Sequence, residues 1–165
     1  MAPSAKNRQP WKYIVFGNVY KEELLKVMES GLEREEQGIT ELPKSRFGIP
    51  DAKNTLRIMQ EAPIIIAVLN TNAMSPFLPV DNDERISEIC DTLSIGASIE
   101  NMLLAAEEIG LGTLWIANTC FAYKELMSYL NTEYQLVGAI AVGYADESPQ
   151  QRPRKQLEEI VEYRL

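Results

Sequence analysis

Read only for the spacing of its apolar positions, the chain divides into short β-like runs and longer helical ones. Trp11-Lys12-Tyr13-Ile14-Val15-Phe16 is aromatic and β-branched and stops at Gly17-Asn18, which predicts a strand ended by a turn. From residue 20 to about 32, Leu24, Leu25, Val27, Met28 and Leu32 recur at near-helical spacing among Lys and Glu, predicting a helix. Residues 33–50 carry charge together with Gly38, Gly48, Pro43 and Pro50 and show no period. They are expected to form a mobile excursion, a candidate lid. A short helix over 51–61, with Asp51 placed to cap it, feeds Pro63-Ile64-Ile65-Ile66-Ala67-Val68-Leu69. That unbroken apolar run is what a strand covered on both faces needs, so it is the expected central strand.

A loop over 70–82 leads into the longest predicted helix, 83–109. Its second half, residues 93–106, is apolar or small on nearly every side, as in a helix enclosed by protein. One chain of 165 residues can hardly supply that cover, so a second copy is expected to supply it. Gly110 and Gly112 stop the helix, and residues 113–117 predict another strand. Residues 121–130 return to helix. Residues 134–144 then predict a strand whose glycines permit close approach, and 157–163 a short amphipathic stretch. The order mixes strands and helices without regular β-α-β alternation, so the expected class is α+β.

Composition narrows the function. The chain has 45% hydrophobic and 24% charged residues and shows no internal repeat, which fits one globular domain spanning 1–165. No apolar stretch approaches the roughly 20 residues that span a bilayer. The N-terminus reaches proline and charge at once, unlike a signal peptide, and the expected location is the cytoplasm. Twenty-four acidic against 16 basic residues give a net charge of −8, which argues against nucleic acid and anionic membranes as partners. With no histidine, Ser-His and Cys-His catalysis are excluded and the commonest transition-metal ligand is missing. Cys90 and Cys120 belong to no ligand-type spacing and read as reduced structural thiols. Carboxylate chemistry, or chemistry lent by a cofactor, remains. The paired carboxylates at Glu107-Glu108, and Glu33 with Glu35-Glu36, are expected to be solvated faces. Gly110-Leu111-Gly112 reads as a helix stop, because it lacks a third glycine and leads into a strand.

Three polar clusters are candidates for binding. Ala2-Pro3-Ser4-Ala5-Lys6-Asn7-Arg8-Gln9-Pro10-Trp11 is a proline-framed loop that offers hydrogen bonds from a rigid edge, or is an ordinary polar turn. Arg57 is either a site cation or a solvated one on a short helix. Arg152, Arg154 and Lys155 are cations suited to a phosphate in an otherwise acidic protein, or a plain basic tail.

The first cluster resembles the Ala-Pro-Ser-x-x-Asn-x-Gln-Pro-Trp signature of the nitroreductase family and matches every defined position. Asn54-Thr55-Leu56-Arg57, residues 91–115 with Gly110-Leu111-Gly112-Thr113, and Arg152-Pro153-Arg154-Lys155 resemble further stretches of that family in the same order. The resemblance implies a nitroreductase-like α+β fold, with a mostly antiparallel central sheet flanked by helices and a long central helix at a homodimer interface. It implies FMN as cofactor, NADH or NADPH as electron donor, and a nitroaromatic, quinone or similar small acceptor. Ser4 and Asn7 would reach the flavin of the partner subunit, and Pro3 and Gln9 of the same loop would also be cofactor-binding. Asn54 would meet the pyrimidine edge, with Arg57 near its N1/O2 end as electrostatic support. Ala117, Asn118 and Thr119 would present a backbone N–H to flavin N5, and Arg152, Arg154 or Lys155 would take the phosphate. No side chain need act as acid or base.

One departure stands out. Family members begin with a helix and basic residues ahead of the Pro-Ser loop, and here Met1 stands where that helix should end. The alternative expectation is therefore a catalytically weak or silent flavin-binding or dimeric interaction protein that lost its N-terminal phosphate-binding arginines.

Overall fold

A computed structural model describes residues 2–147 and 150–164; Met1, on which the reading of the N-terminal departure rests, lies outside them. Four strands, β1 (Trp11–Gly17), β2 (Ile64–Asn70), β3 (Gly112–Ile116) and β4 (Gln135–Gly143), form one sheet in the order β1-β2-β4-β3. Every neighbouring pair is antiparallel, which matches the expected class. The apolar run at Ile64 is the inner strand it was expected to be, paired with β1 on one side and β4 on the other. The register slips by one between Val68 and Leu69, where β4 bulges.

The helices are α1 (Asn18–Glu36), α2 (Ile49–Glu61), α3 (Asn82–Glu108), α4 (Tyr123–Leu130) and the short α5 (Leu157–Ile160). One sheet face carries Phe16, Ile65, Ala67, Leu69, Ala139 and Ala141 into the main core, which α1, α2 and α4 close with Met28, Leu32, Leu56, Met59 and Leu126. The other face sets Val68 and Ile140 against Ile95 and Ile99 of α3. Those four are fully buried, each side chain contributing about 1.5–3 kcal/mol over exposure.

Helix α3 spans 27 residues, roughly 40 Å. Its start is set by Asp81, whose carboxylate accepts from Glu84 N at 2.8 Å while the Glu84 side chain accepts from Asp81 N. Only one side of it is covered. Ile86, Ile89, Leu93 and Leu104 remain exposed along its length, and Val15 and Trp115 are exposed on the sheet face that α3 crosses. Apolar side chains left bare along one helix and the strands beside it are surface of the kind on which another protein packs.

Several boundaries differ from the sequence reading. Helix α1 continues to Glu36, and residues 43–48 form a 3-10 turn leading straight into α2, so the stretch expected to be an excursion is largely ordered. Glu35 is fully buried rather than solvated. Helix α2 begins at Ile49 with Gly48 at its N-cap, and Asp51 sits inside its first turn, because the proline at 50 suits a first-turn position. Strand β3 ends at Ile116, and a 3-10 turn over Asn118–Ala122 delays α4 to Tyr123. Both cysteines are free and half-buried. No helix among the described residues is long and apolar enough to cross a membrane.

Candidate functional site

Antiparallel pairing gathers the loops that carry the candidate residues at one end of the sheet. Trp11 opens β1 opposite Asn70, the last residue of β2, and Asn70 lies opposite Gln135, the first of β4. Strand β3 runs toward the same end. The N-terminal loop, the loop over 71–81 and the Asn118–Ala122 turn therefore emerge together.

The N-terminal loop is shaped by left-handed backbone at Lys6, Asn7 and Gln9, with φ of 51°, 54° and 49°. For non-glycine residues this costs roughly 1 kcal/mol each. Local bonds offset it: Ser4 O accepts from Asn7 N at 3.0 Å, and Ser4 Oγ accepts from Gln9 N at 3.1 Å. Because that hydroxyl is already an acceptor, its own proton is free to donate elsewhere. The loop is also pinned to α3, where Ser94 Oγ accepts from Ala5 N at 3.1 Å and itself donates to Cys90 O. Arg8 Nη2 stands 2.9 Å from Asp91 Oδ1, an ion pair set off the hydrogen-bond direction. Pro3, Asn7 and Gln9 are exposed and Ser4 is half-buried.

Asn54 and Arg57 lie one turn apart on the exposed side of α2. Arg57 reaches Asn54 Oδ1 at 3.4 Å and pairs with Glu61 on the same helix. A pair this exposed contributes about 0.5 kcal/mol, so the guanidinium can be recruited by a ligand at little cost.

The turn after β3 is bound to α2: Asn118 Nδ2 donates to Asp51 Oδ2 at 2.9 Å and to Thr55 Oγ1 at 3.0 Å. The Asn118 side chain is thus committed, and that of Thr119 is buried, which leaves the backbone as what this turn can offer. The amides of Asn118 and Thr119 precede its first internal bond, Cys120 N to Ala117 O. Ala117 is exposed.

The same turn is held from below by a charge cluster that sequence reasoning missed. Arg34 Nε donates to Glu125 Oε1 at 2.6 Å, Nη1 to Glu35 Oε1 at 2.8 Å and to Ile39 O, and Nη2 to Phe121 O at 3.1 Å. Glu35 Oε1 also accepts from Glu41 N, while Oε2 is buried without a partner. The Glu125 hydrogen bonds raise the Arg34 pKa further, beyond any accessible pH. Burial opposes ionisation of Glu125, but Arg34 outweighs it and the carboxyl ends below its ordinary value. Burial pushes the Cys120 thiol and the Tyr123 phenol up. A Cβ on Gly31 would lie 2.4 Å from Ala122 Cβ, so glycine is what lets α1 approach the turn.

Arg152, Arg154 and Lys155 are all exposed, and Arg154 bonds only to nearby backbone carbonyls, Arg152 O and Pro153 O. An open depression of about 520 Å³ lies between residues 74–78 and α4, lined by Met74, Phe77, Leu78, Tyr123 and Met127 with Glu41, Lys124 and Glu133. None of the candidate residues lines it.

The candidate residues form separate groups in one subunit. Among the described residues, no hydrogen bond or ion pair joins the Ser4–Gln9 loop to α2 or to the 118–122 turn. The loop precedes β1 and the turn follows β3, the two edge strands, three strand spacings or roughly 14 Å apart. They also lie against different layers, the loop on α3 and the turn on α1 and α2.

An antiparallel sheet in this strand order, with one long helix across one face and α1, α2 and α4 on the other, defines a nitroreductase-like α+β fold. The model of the Nitroreductase family matches residues 1–144, and the chain belongs to that family. Iodotyrosine deiodinase of Thermotoga neapolitana is 27% identical over 168 residues, covering 98% of this chain and 79% of that protein. A BluB-like flavoprotein from Clostridium difficile 630 superposes with a TM-score of 0.75 at 25% identity, over 98% of this chain and 83% of its own. The FMN-dependent nitroreductase NfnB from Mycobacterium smegmatis, solved in complex with NADPH, gives 0.70 at 16% identity, over 98% and 82%.

Proposed function

We propose that the chain is a homodimeric FMN-dependent oxidoreductase whose cofactor lies between two subunits. Family membership supports the class, and the observation that carries the two-subunit reading is the split donor set. Ser4 and Asn7 sit at one sheet edge, Asn54, Arg57 and the 118–119 amides belong to the other edge and layer, and α3, on the loop's side of the sheet, leaves apolar side chains uncovered.

The donor set fits the cofactor. Asn54 and Arg57 would hold the pyrimidine end, with a cation and an amide both exposed and loosely engaged. The opening amides of the 118–122 turn would offer a donor on a rigidly held backbone, and the exposed Arg152, Arg154 and Lys155 suit a phosphate. Pro3, Ser4, Asn7 and Gln9 of the second subunit would close the pocket, with the free Ser4 proton as donor. Bound there, FMN would supply the redox chemistry, taking hydride at N5 from NADH or NADPH and yielding electrons to a small acceptor such as a nitroaromatic or a quinone. The protein would contribute position and charge: Arg57 would stabilise negative charge at the pyrimidine end, and the turn, held by Asn118 and Arg34, would offer its amides without reorganisation. A halogenated phenol as acceptor is a second reading, favoured by the likeness to iodotyrosine deiodinase.

The test is a visible spectrum of the purified protein with added FMN, its anaerobic bleaching by NADH and by NADPH, and the mass by light scattering. A dimer that binds FMN and bleaches supports the reading. A monomer, or no FMN uptake at high micromolar concentration, overturns it. FMN uptake without bleaching identifies a binding protein lacking turnover. Halide release from a halophenol, against reduction of a nitroarene, separates the two acceptor classes.

A further inference from the structure

Three left-handed residues in four, none of them glycine, are a strained backbone that the two bonds to Ser4 offset from within and that ties to α3 can hold from outside. The family signature fixes Ser4, Asn7 and Gln9 but leaves position 8 undefined, and here that position is Arg8, the residue that leaves the loop to find a buried partner. Asp91 is 1% exposed at its side chain, Arg8 33%. Arg8 is the cation paired with Asp91, whose second oxygen accepts from Asn72 Nδ2 at 3.1 Å. Ser94, one turn further along α3, takes the Ala5 amide on the same side. A buried acidic residue just ahead of the apolar half of α3 is thus engaged with the N-terminal loop and the loop over 71–81. A buried carboxylate deprived of its cation is strongly unfavourable, so the pair resists opening.

We infer that Asp91 and Arg8 are positioning residues: the α3 carboxylate, through the Arg8 guanidinium, holds Lys6, Asn7 and Gln9 in their left-handed backbone and so aims Ser4 and Asn7 at the partner's cofactor. The functional half of this inference rests on the FMN reading above. It ties cofactor affinity to the seating of α3, the helix whose uncovered face awaits the second subunit.

The experiment compares wild type with Arg8→Met, Arg8→Lys, the double variant Arg8→Met/Asp91→Asn, and Arg8→Met/Lys6→Gly. Two readouts are taken: amide hydrogen exchange of Ala5 and Gln9 in the apoprotein, and FMN affinity by fluorescence titration. Arg8→Met is expected to exchange at least about tenfold faster at both amides and to bind FMN about tenfold more weakly. Arg8→Lys keeps most of both properties. The double variant, with no orphaned buried charge, folds as wild type yet still shows the faster exchange and weaker binding, which keeps the test decisive if Arg8→Met misfolds. Lys6→Gly, which removes one strained residue, recovers part of the lost FMN affinity, an effect expected only if backbone conformation is what Arg8 controls. Exchange and affinity within about twofold of wild type in the double variant overturn the inference, and so does faster exchange with unchanged FMN affinity. If wild type binds no FMN the oxidoreductase reading falls, while the exchange of Ala5 and Gln9 still decides whether the clamp exists.

Discussion

Arg34→Met removes the centre of the charge cluster beneath the 118–122 turn while keeping most of the aliphatic stem. The guanidinium bonds two carboxylates, Glu35 and Glu125, and two backbone carbonyls, Ile39 and Phe121. Glu35 is fully buried, and after the substitution its remaining donor is the Glu41 amide. Breaking a buried pair by deleting one partner costs about 3–5 kcal/mol, chiefly because the surviving charge stays buried. A chain of 165 residues has a total stability of roughly 8–25 kcal/mol, so this single change removes a sizeable share. The further substitution Glu35→Leu should recover at least about half of the loss, since it deletes the stranded charge. Urea unfolding of the apoprotein, followed by circular dichroism at fixed protein concentration, measures both. A loss below about 1 kcal/mol for Arg34→Met, or no recovery in the double variant, would refute the reasoning that the desolvated Glu35 dominates the cluster.

The same cluster sets a pH dependence. Glu125 has a folded pKa below its unfolded value, so its contribution is complete above the unfolded value and is lost as pH falls through the folded one; the urea midpoint should decline on acidification below the ordinary glutamate range, and less so in Glu125→Gln. Gly31→Ala gains about 1 kcal/mol of helix propensity but forces a methyl to 2.4 Å from Ala122, and a net destabilisation of about 1–2 kcal/mol is expected; a stabilised variant would show that α1 and the turn are looser than described. Arg57→Ala should change stability by less than about 1 kcal/mol, because its pair with Glu61 is exposed, yet slow anaerobic flavin reduction by roughly tenfold in stopped flow. Equal reduction rates would remove Arg57 from the site.

What could be read in advance depended on whether a local pattern carried the information. The unbroken Ile64–Leu69 run could only be an inner strand, and the all-round apolar character of 93–106 foretold a helix one subunit leaves half bare. Glu35 was misjudged for the opposite reason: the apolar period ends at Leu32, and nothing nearby tells that Arg34 and Glu125, 91 residues apart, meet across the fold. Asp51 looked like a cap, yet its carboxylate is used by Asn118, a contact that exists only because α2 and the turn share a layer. The signature loop was legible as a motif, but its strain and its tether to Asp91 were not. Left-handed φ at Lys6 and Gln9 contradicts residue preference, so no local propensity could announce it. Asp91 left no trace either, since Glu88 one turn earlier and Thr92 beside it make it look like one more polar position on the first half of the helix.

The two ends of the sheet differ in how much change they can absorb. At the end opposite the candidate site, Gly17 lies against the Ile64 side chain and Gly143 against Pro63, with no room for even a methyl at Gly143, and the connections from β1 to α1, α2 to β2 and α3 to β3 are nearly as short as a chain can make them. At the site end, 11 residues separate β2 from α3. Insertions between Asn70 and Asn82 can lengthen or reshape a wall of the neighbouring depression while every strand keeps its register. The scaffold is therefore stapled away from the loops of the site and elastic beside them, so that relatives of this chain can diverge in what they accept without renegotiating how they fold.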